Sequence, residues 1–436
     1  MTPQNQRKTI WAWTFYDWAN SVYPLIITAA IFPIYYESVT RHGSSDLVRF
    51  LGFELKNTSL YTYSLSFAYL LIALLSPLLS GIADYTGRKK RFMQFFCYLG
   101  ALSCSAMYFF NADRLYLGIG LIVLACIGYS GSLVFYNAYL PEIASNDQQD
   151  RVSARGFAMG YVGSVLLLSF CLTLILKPDW YGGISKGDAS RLSFLLVGVW
   201  WFVFAQIPFF VLPNSDSNRP WEHHVLSKGY RELKKVWAEL RLHPQLTRFL
   251  GAFFVYIMGL QTVMLIATLF GKKEIGLESG QLIVTVMILQ FVAIIGAYLF
   301  AFCSRRIGNI PTLQLATLIW IGVCLAAYFI HTPVQFFMLA GMVGLVMGGT
   351  QALSRSTYSK MLPETVDHAS YFSFYDVTEK LAIVFGTATF GLLEQLTNSM
   401  RTSILLLFGF FVLGFILLRR VSRKPALAVI DGEVLS

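Results

Sequence analysis

Charge is scarce in this chain. Only 13% of its 436 residues are Asp, Glu, Lys or Arg, while 56% are hydrophobic. A water-soluble fold has no core large enough to hide that much apolar surface, so the surroundings must be lipid. Histidine is scarcer still. The six, at 42, 223, 224, 243, 331 and 368, all fall in polar segments between apolar runs. That removes the intramembrane His expected of most membrane-embedded metal hydrolases and acyltransferases, and no nucleophile constellation stands in its place. The six Cys (97, 104, 126, 171, 303 and 324) lie in or at the edge of apolar runs. Their spacing fits neither a zinc site nor a disulfide framework, so they read as small packing residues. A G-x-x-x-x-G-K-S/T loop is also missing, so the chain carries no nucleotide-driven motor of its own. No enzyme activity, cofactor or metal is expected. The net charge of +10 raises nucleic acid as a partner; its distribution removes that reading.

What is present is a series of long apolar runs. The first, at 11–36, is too long for a signal-peptide core and should remain as a span, although Asp17, Asn20, Pro24 and Pro33 interrupt it. Further runs follow at about 59–82, 92–110, 115–140, 157–176, 192–212, 247–270, 281–302, 311–330, 334–353, 371–394 and 402–420. Each is near the ~20 residues that cross ~30 Å of hydrocarbon as a helix. Helices are required because each backbone polar group must find its partner within its own segment. The expected fold is all-α, with twelve spans and both termini on one side. Of the 34 Lys and Arg, 23 fall on the face holding the termini and 10 on the opposite face, with Lys380 inside a run. The excess places both termini in the cytoplasm and accounts for the basic balance without nucleic acid. Short loops favour a bacterial inner membrane over a vacuole.

The longest connection divides the chain. Residues 1–212 form one six-helix bundle, 213–246 a cytoplasmic linker, 247–420 a second bundle and 421–436 a tail. In the linker, Tyr230, Leu233, Trp237 and Leu240 recur at helical spacing among Lys228, Arg231, Lys234, Lys235 and Arg241. That pattern predicts a basic amphipathic helix lying on the inner leaflet. The two bundles share faint self-similarity, a mark of transporters. Leu140, Pro141 and Glu142 recur 222 residues later as Leu362, Pro363 and Glu364, and Tyr136 recurs as Tyr358.

A charged side chain at the centre of a membrane helix costs roughly 2.5–3.5 kcal/mol even on the lenient insertion scale. Asp17 in the first run and Asp376, Glu379 and Lys380 in the eleventh are therefore the candidates for chemistry. Asp376 and Lys380 are spaced i, i+4 and can pair on one face. Lys380 should sit ~14 Å deep, near the midplane. Two carboxylates are then left over, and each needs a proton, a cation or water. Asp17 or Glu379 is the expected proton site coupled to solute movement, with Lys380 anchoring an anionic group or a gate acid. At the same level lie Asn20, Tyr136, Asn137, Gln261 and Gln351, read equally as solute contacts or as inter-helix hydrogen bonds. Gly156, Gly160 and Gly163 open the fifth run with spacing that close helix packing explains.

Between the second and third runs stand Gly81, Asp84, Gly87, Arg88 and Lys89, followed by Lys90 and Arg91. This resembles the loop signature of the major facilitator superfamily, G-x-x-x-D-x-x-G-R-K/R, in the family's own position. A worn copy, 304–308, lies between the eighth and ninth runs, with Arg305 where Asp84 stood. The resemblance implies two pseudo-symmetric bundles, a cavity lined by spans one, four, seven and ten, and a latch. In that latch the Asp84 charge meets the start of the eleventh helix and the nearby Arg88, a modest and breakable bias suited to a switch. Further stretches are similar to the vacuole-effluxer-like branch: Tyr16 to Ser21, Phe135 to Ala138 with Leu140 to Glu142, Gly156 to Tyr161, Gly348 to Ser356, and Phe374, Tyr375 and Asp376 with Lys380. Two departures follow Asp376: Glu379 where a small residue is usual, and Thr387 where Pro is. The branch implies export of a small polar solute, amino acids foremost; the surplus carboxylates add protons as the expected coupling ion, and a monomer in the bilayer is the expected state. A non-transporting receptor on the same fold and a transporter of another solute are the alternatives.

Overall fold

The computed structural model describes residues 4–41, 45–214, 225–397 and 399–421. Apart from Val421, the expected tail lies outside them, as do 215–224 of the linker. Among the described residues, eleven helices are long and apolar enough to cross a membrane. They are α1 (Arg7–Thr40), α2 (Asn57–Thr86), α3 (Lys89–Phe109), α4 (Ala112–Ile143), α5 (Gln149–Leu176), α6 (Lys186–Val211), then α8 (Pro244–Glu274), α9 (Ser279–Ile307), α10 (Asn309–Phe329), α11 (Pro333–Met361) and α13 (Met400–Leu418). Between α6 and α8 lies the shorter α7 (Val225–Leu242). The remaining helix, α12 (His368–Thr397), has 30 residues and packs beside α2, α8 and α13. Its Asp376, Glu379, Lys380 and Glu394 keep it from matching the others in apolar character.

Several helices run past the apolar stretches that announce them. Helix α11 continues to Met361, so Arg355 and Lys360 belong to it rather than to a loop. In α1, Pro24 lacks an N–H and Pro33 follows nine residues later; the chain widens to a π-helix over Tyr23–Ala30, which has Pro24 in its first turn. Short β1 (Leu47–Phe50) and β2 (Phe53–Lys56) form an antiparallel hairpin between α1 and α2. Leu51 and Gly52 turn it, both with positive φ (48° and 87°).

Lipid gives helices no hydrophobic reason to associate, so small residues that let backbones approach do the work. Gly296, Gly344 and Gly348 form such a seam between α9 and α11. A Cβ at Gly348 would lie 2.1 Å from the Ala293 carbonyl oxygen.

The linker helix does not simply lie on a leaflet. It seats on α2, where a Cβ at Gly81 would lie 2.4 Å from the Gly229 carbonyl oxygen. Val236 and Leu240 are buried, whereas Tyr230 and Trp237 of the expected apolar stripe are exposed. Protein contacts thus fall on Val236 and Leu240, and Trp237 meets the Phe374 ring at 5.4 Å. Tyr371 of α12 donates to Glu239 at 3.0 Å, and Lys235 bridges Glu232 (2.9 Å) and Asp367 (3.1 Å). Burial raises the Asp367 carboxyl above its ordinary value. The hydrogen bonds to Glu232 and Asp367 hold the Lys235 ammonium above its own.

Gly348→Ala should overpack the α9–α11 seam and cost about 1–3 kcal/mol. Gly322→Ala, where nothing lies within 4 Å of the new Cβ, should cost nothing. Thermal unfolding in detergent checks the pair.

Candidate functional site

A cavity of about 280 Å³ lies at the centre of the molecule. Its walls come from α1, α2, α4, α5, α8, α9, α11 and α12. Six of the candidate residues line it: Asp17, Asn137, Gln261, Gln351, Glu379 and Lys380. Three others do not. Asn20 is buried, Tyr136 is buried behind Asp17, and Asp376 is sealed behind Lys380. They act on the cavity, where they act at all, through neighbours.

The floor of the cavity is an ion pair that the sequence reading left incomplete. Asp17 of α1 and Arg355 of α11 meet at 3.2 Å, with side chains only 7% and 4% exposed. Both terminal guanidinium nitrogens donate to the same Asp17 Oδ2, and the Tyr136 hydroxyl donates to it at 2.8 Å. Arg355 also donates to the Ser153 hydroxyl and carbonyl, each at 2.9 Å, and to Asn137 Oδ1 at 3.4 Å. Its guanidinium lies 4.8 Å from the Trp13 ring and 4.2 Å from the Phe157 ring. All five N–H donors of Arg355 are thus placed, on partners from α1, α4 and α5. Gly156 makes room for this. A Cβ there would lie 2.4 Å from Asp17 Oδ2 and 2.9 Å from Arg355. Asp17 is therefore not a surplus carboxylate. Arg355 lies past the apolar run at 334–353, whose length does not announce that the helix continues to Met361, so nothing in the sequence pattern marks this pairing.

On the wall, Lys380 Nζ lies 3.2 Å from Asp376 and 3.6 Å from Glu379. The Gln261 amide of α8 donates to Glu379 Oε1 at 2.8 Å. Tyr161 of α5 donates to Gln351 of α11 at 2.9 Å.

Below the floor, toward the face that carries both termini, three further clusters join helices before and after the linker. The Asp84 carboxylate at the end of α2 accepts the backbone N–H of Ala369 (3.2 Å) and of Ser370 (2.6 Å) in the first turn of α12. Those donors have no partner within their own helix, and the positive end of the helix favours the anion. Gly87 caps α2 at φ 66°, and Arg88 contributes its backbone N–H to the Ala83 carbonyl. The charged loop residue engaged across the turn is Lys89, paired with Glu142. Glu142 in turn meets His368 Nδ1 at 2.9 Å, so His368, read as a loop residue, sits at a junction. The third cluster surrounds Asp150 at the start of α5. It accepts from Ser304 (2.7 Å), Asn309 (2.8 Å) and Lys360 (2.6 Å). This is the worn loop copy with its polarity reversed. In the first copy the loop supplies the acid and the helix start supplies N–H donors. In the second the helix start supplies the acid and the loop supplies donors. Arg305 at the old acid position is consistent with that exchange.

Removing one partner of a buried pair strands a charge. Arg355→Gln should destabilise by about 3–5 kcal/mol, and combining it with Asp17→Asn should recover most of the loss. Melting temperatures of the two single variants and the double variant in detergent measure this; additive losses would contradict it.

Comparison with known proteins agrees with this architecture. The family model described as "Vacuole effluxer Atg22 like" matches residues 5–428. An uncharacterized MFS-type transporter, YxiO of Bacillus subtilis (strain 168), is 31% identical over 418 residues, covering 95% of each chain. Autophagy-related protein 22 of Coccidioides immitis (strain RS) is 22% identical, covering 95% of this chain and 86% of its own. Among solved structures, the major facilitator transporter FucP in the outward conformation superposes with a TM-score of 0.71 at 15% identity, over 96% of this chain and 99% of its own. The human organic anion transporter MFSD10 gives 0.70 at 12% identity, over 95% and 100%. Long apolar helices around a cavity floored by a buried ion pair, a signature loop seated on a helix start, and a match along nearly the whole sequence lead to one assignment: the chain belongs to the vacuole effluxer Atg22-like family of major facilitator transporters.

Proposed function

We propose that this protein is a secondary active transporter that exports a small polar solute, with amino acids as the class, by alternating access coupled to protons. In this reading α12 is the twelfth span, 1–212 and 247–420 are the two moving bundles, and a single chain does the work. The termini face the cytoplasm of a bacterial cell, as the Lys and Arg excess on that face supports.

The observation that carries the reading is the cavity floor. The cavity ends on an ion pair with one partner from each bundle, Asp17 and Arg355. Among the described residues, the hydrogen bonds and ion pairs that join the two bundles lie at the floor, just above it at Tyr161–Gln351, or on the terminal side of it. The terminal side is thus held shut while the cavity extends toward the other face. Rocking of the bundles must break Asp17–Arg355 and the Asp84, Glu142 and Asp150 clusters together. Each is a compact polar contact with a discrete broken state, which suits a two-state switch better than a continuous apolar interface would. Asn137, Gln261 and Gln351 supply neutral polar contacts to the solute, and Lys380 supplies a cation near mid-depth.

Counterflow in proteoliposomes tests this. Vesicles preloaded with a mixture of unlabelled amino acids should take up labelled tracers in a saturable manner, and Lys380→Ala should lose at least about 90% of that uptake, since charge lost at mid-membrane is costly to replace. Absence of uptake for every tracer, with folded protein, would defeat amino-acid transport.

A further inference from the structure

The charges on the cavity wall do not cancel, and their arrangement says which kind of solute balances them. Asp17 and Arg355 neutralise each other on the floor. The remaining group on α12, Asp376, Glu379 and Lys380, sums to −1 when all three are ionised. Lys380 lies nearer Asp376, at 3.2 Å, than Glu379, at 3.6 Å. Asp376 is sealed, whereas the Glu379 side chain is 22% exposed and lines the cavity. The surplus charge is therefore presented at Glu379.

The cavity that Glu379 lines is rich in aromatic rings. From α2 comes Tyr69, whose ring lies 6.0 Å from Lys380 Nζ, and from α4 comes Tyr129; both line the cavity with Tyr375 of α12 itself. Cys126 of α4 faces the Lys380 side. From α8 the facing group is the neutral Gln261. Aromatic faces attract cations and repel anions. Among the described residues, the cavity-lining Gln290 side-chain oxygen has no hydrogen-bond partner, on a residue 9% exposed. A buried acceptor without a partner is costly, and an N–H donor from a solute removes that cost.

We propose that Glu379 is a shared acceptor that holds either a proton or the ammonium group of a basic amino acid of net charge +1, and never both. This rests on the transport reading above and narrows its substrate class. When the solute arrives at protonated Glu379, its ammonium takes the carboxylate and the proton leaves to water in the cavity. The group carries no net charge in either loaded form. It carries −1 only when empty, and moving that uncompensated charge through a dehydrated intermediate is unfavourable. The carrier should then reorient loaded, one proton inward for each cation outward. A neutral zwitterion adds no charge and does not complete the balance. Glu379 stands where the family resemblance has a small residue, so the preference should be particular to chains with an acid here.

The experiment uses the full chain in proteoliposomes with an internal pH dye and three tracers, L-lysine, L-leucine and L-glutamate, in counterflow and under an imposed pH gradient. The expected result is uptake of lysine about tenfold above leucine, one proton moved per lysine, and an apparent affinity that rises about tenfold per pH unit until Glu379 is ionised. Glu379→Gln should abolish the proton movement and the pH dependence. Glu379→Ala, checked for folding by size exclusion, should bring lysine and leucine uptake together. Leucine exchange equal to or above lysine, or lysine exchange without proton movement, would overturn this inference and leave the transport reading standing. No exchange of any tracer would overturn both.

Discussion

A carboxylate and a guanidinium held out of water constrain the rest of this molecule. Neither Asp17 nor Arg355 is tolerable alone at that depth, and together they are tolerable only with the remaining lone pairs and N–H groups satisfied. Tyr136, Ser153 and Asn137 satisfy them, Trp13 and Phe157 face the guanidinium, and Gly156 leaves the volume free. The glycine spacing at the start of α5, which helix packing alone would explain, thus also serves the pair. A Cβ at Gly160 would lie 2.3 Å from the Ser21 hydroxyl, so the same stripe also brings α5 against α1. The ion pair, the helix crossing and the closed floor are one construction.

The three clusters beyond the floor repeat a single physical idea with different chemistry. Each joins a helix start or loop of one bundle to the other through a carboxylate whose oxygens are taken up by donors. Asp84 uses backbone N–H groups of α12, Glu142 uses Lys89 and His368, and Asp150 uses Ser304, Asn309 and Lys360. The linker helix adds a fourth tie from outside, pressing Gly229 on Gly81 and reaching Glu239 and Lys235 to the start of α12. Its place at the junction of α2 and α12 makes it part of what must move when the terminal side opens.

Much of this was legible in the sequence, for reasons that also mark where it stopped being so. Apolar length announces a membrane helix, and it located the eleven apolar spans, but it does not announce where a helix ends. Arg355 and Lys360 lie past the run at 334–353 although α11 carries both, and Asp17 was left apparently unpaired. The i, i+4 spacing of Asp376 and Lys380 disclosed their contact because both lie on one helix. No local pattern could disclose Asp17 with Arg355, which are 338 positions apart. The loop copy at 304–308 was visible as a repeat, but the movement of its acid to Asp150 was not, because donors and acceptor exchanged places between two segments. In α7 the amphipathic period was legible and the seat on α2 was not: Gly229 and Val236 pack there through a close approach that no apolar period announces. The hairpin at Leu47–Lys56 gave little warning, since Leu51 is an unusual residue at positive φ.

The most direct test is whether the floor pair holds the terminal side closed. Asn146 and Val366 are exposed on that side, one before α5 and one before α12. Spin labels on Asn146→Cys and Val366→Cys, with the partly accessible Cys303 changed to Ser, report the separation of the two bundles by double electron–electron resonance. With Asp17 and Arg355 in place, a short distance should dominate. With Asp17→Asn and Arg355→Gln together, a longer component should grow as the open state gains population. A distance distribution unchanged by removal of the pair would contradict the account, because the terminal side would then be held by something other than the charge on the cavity floor.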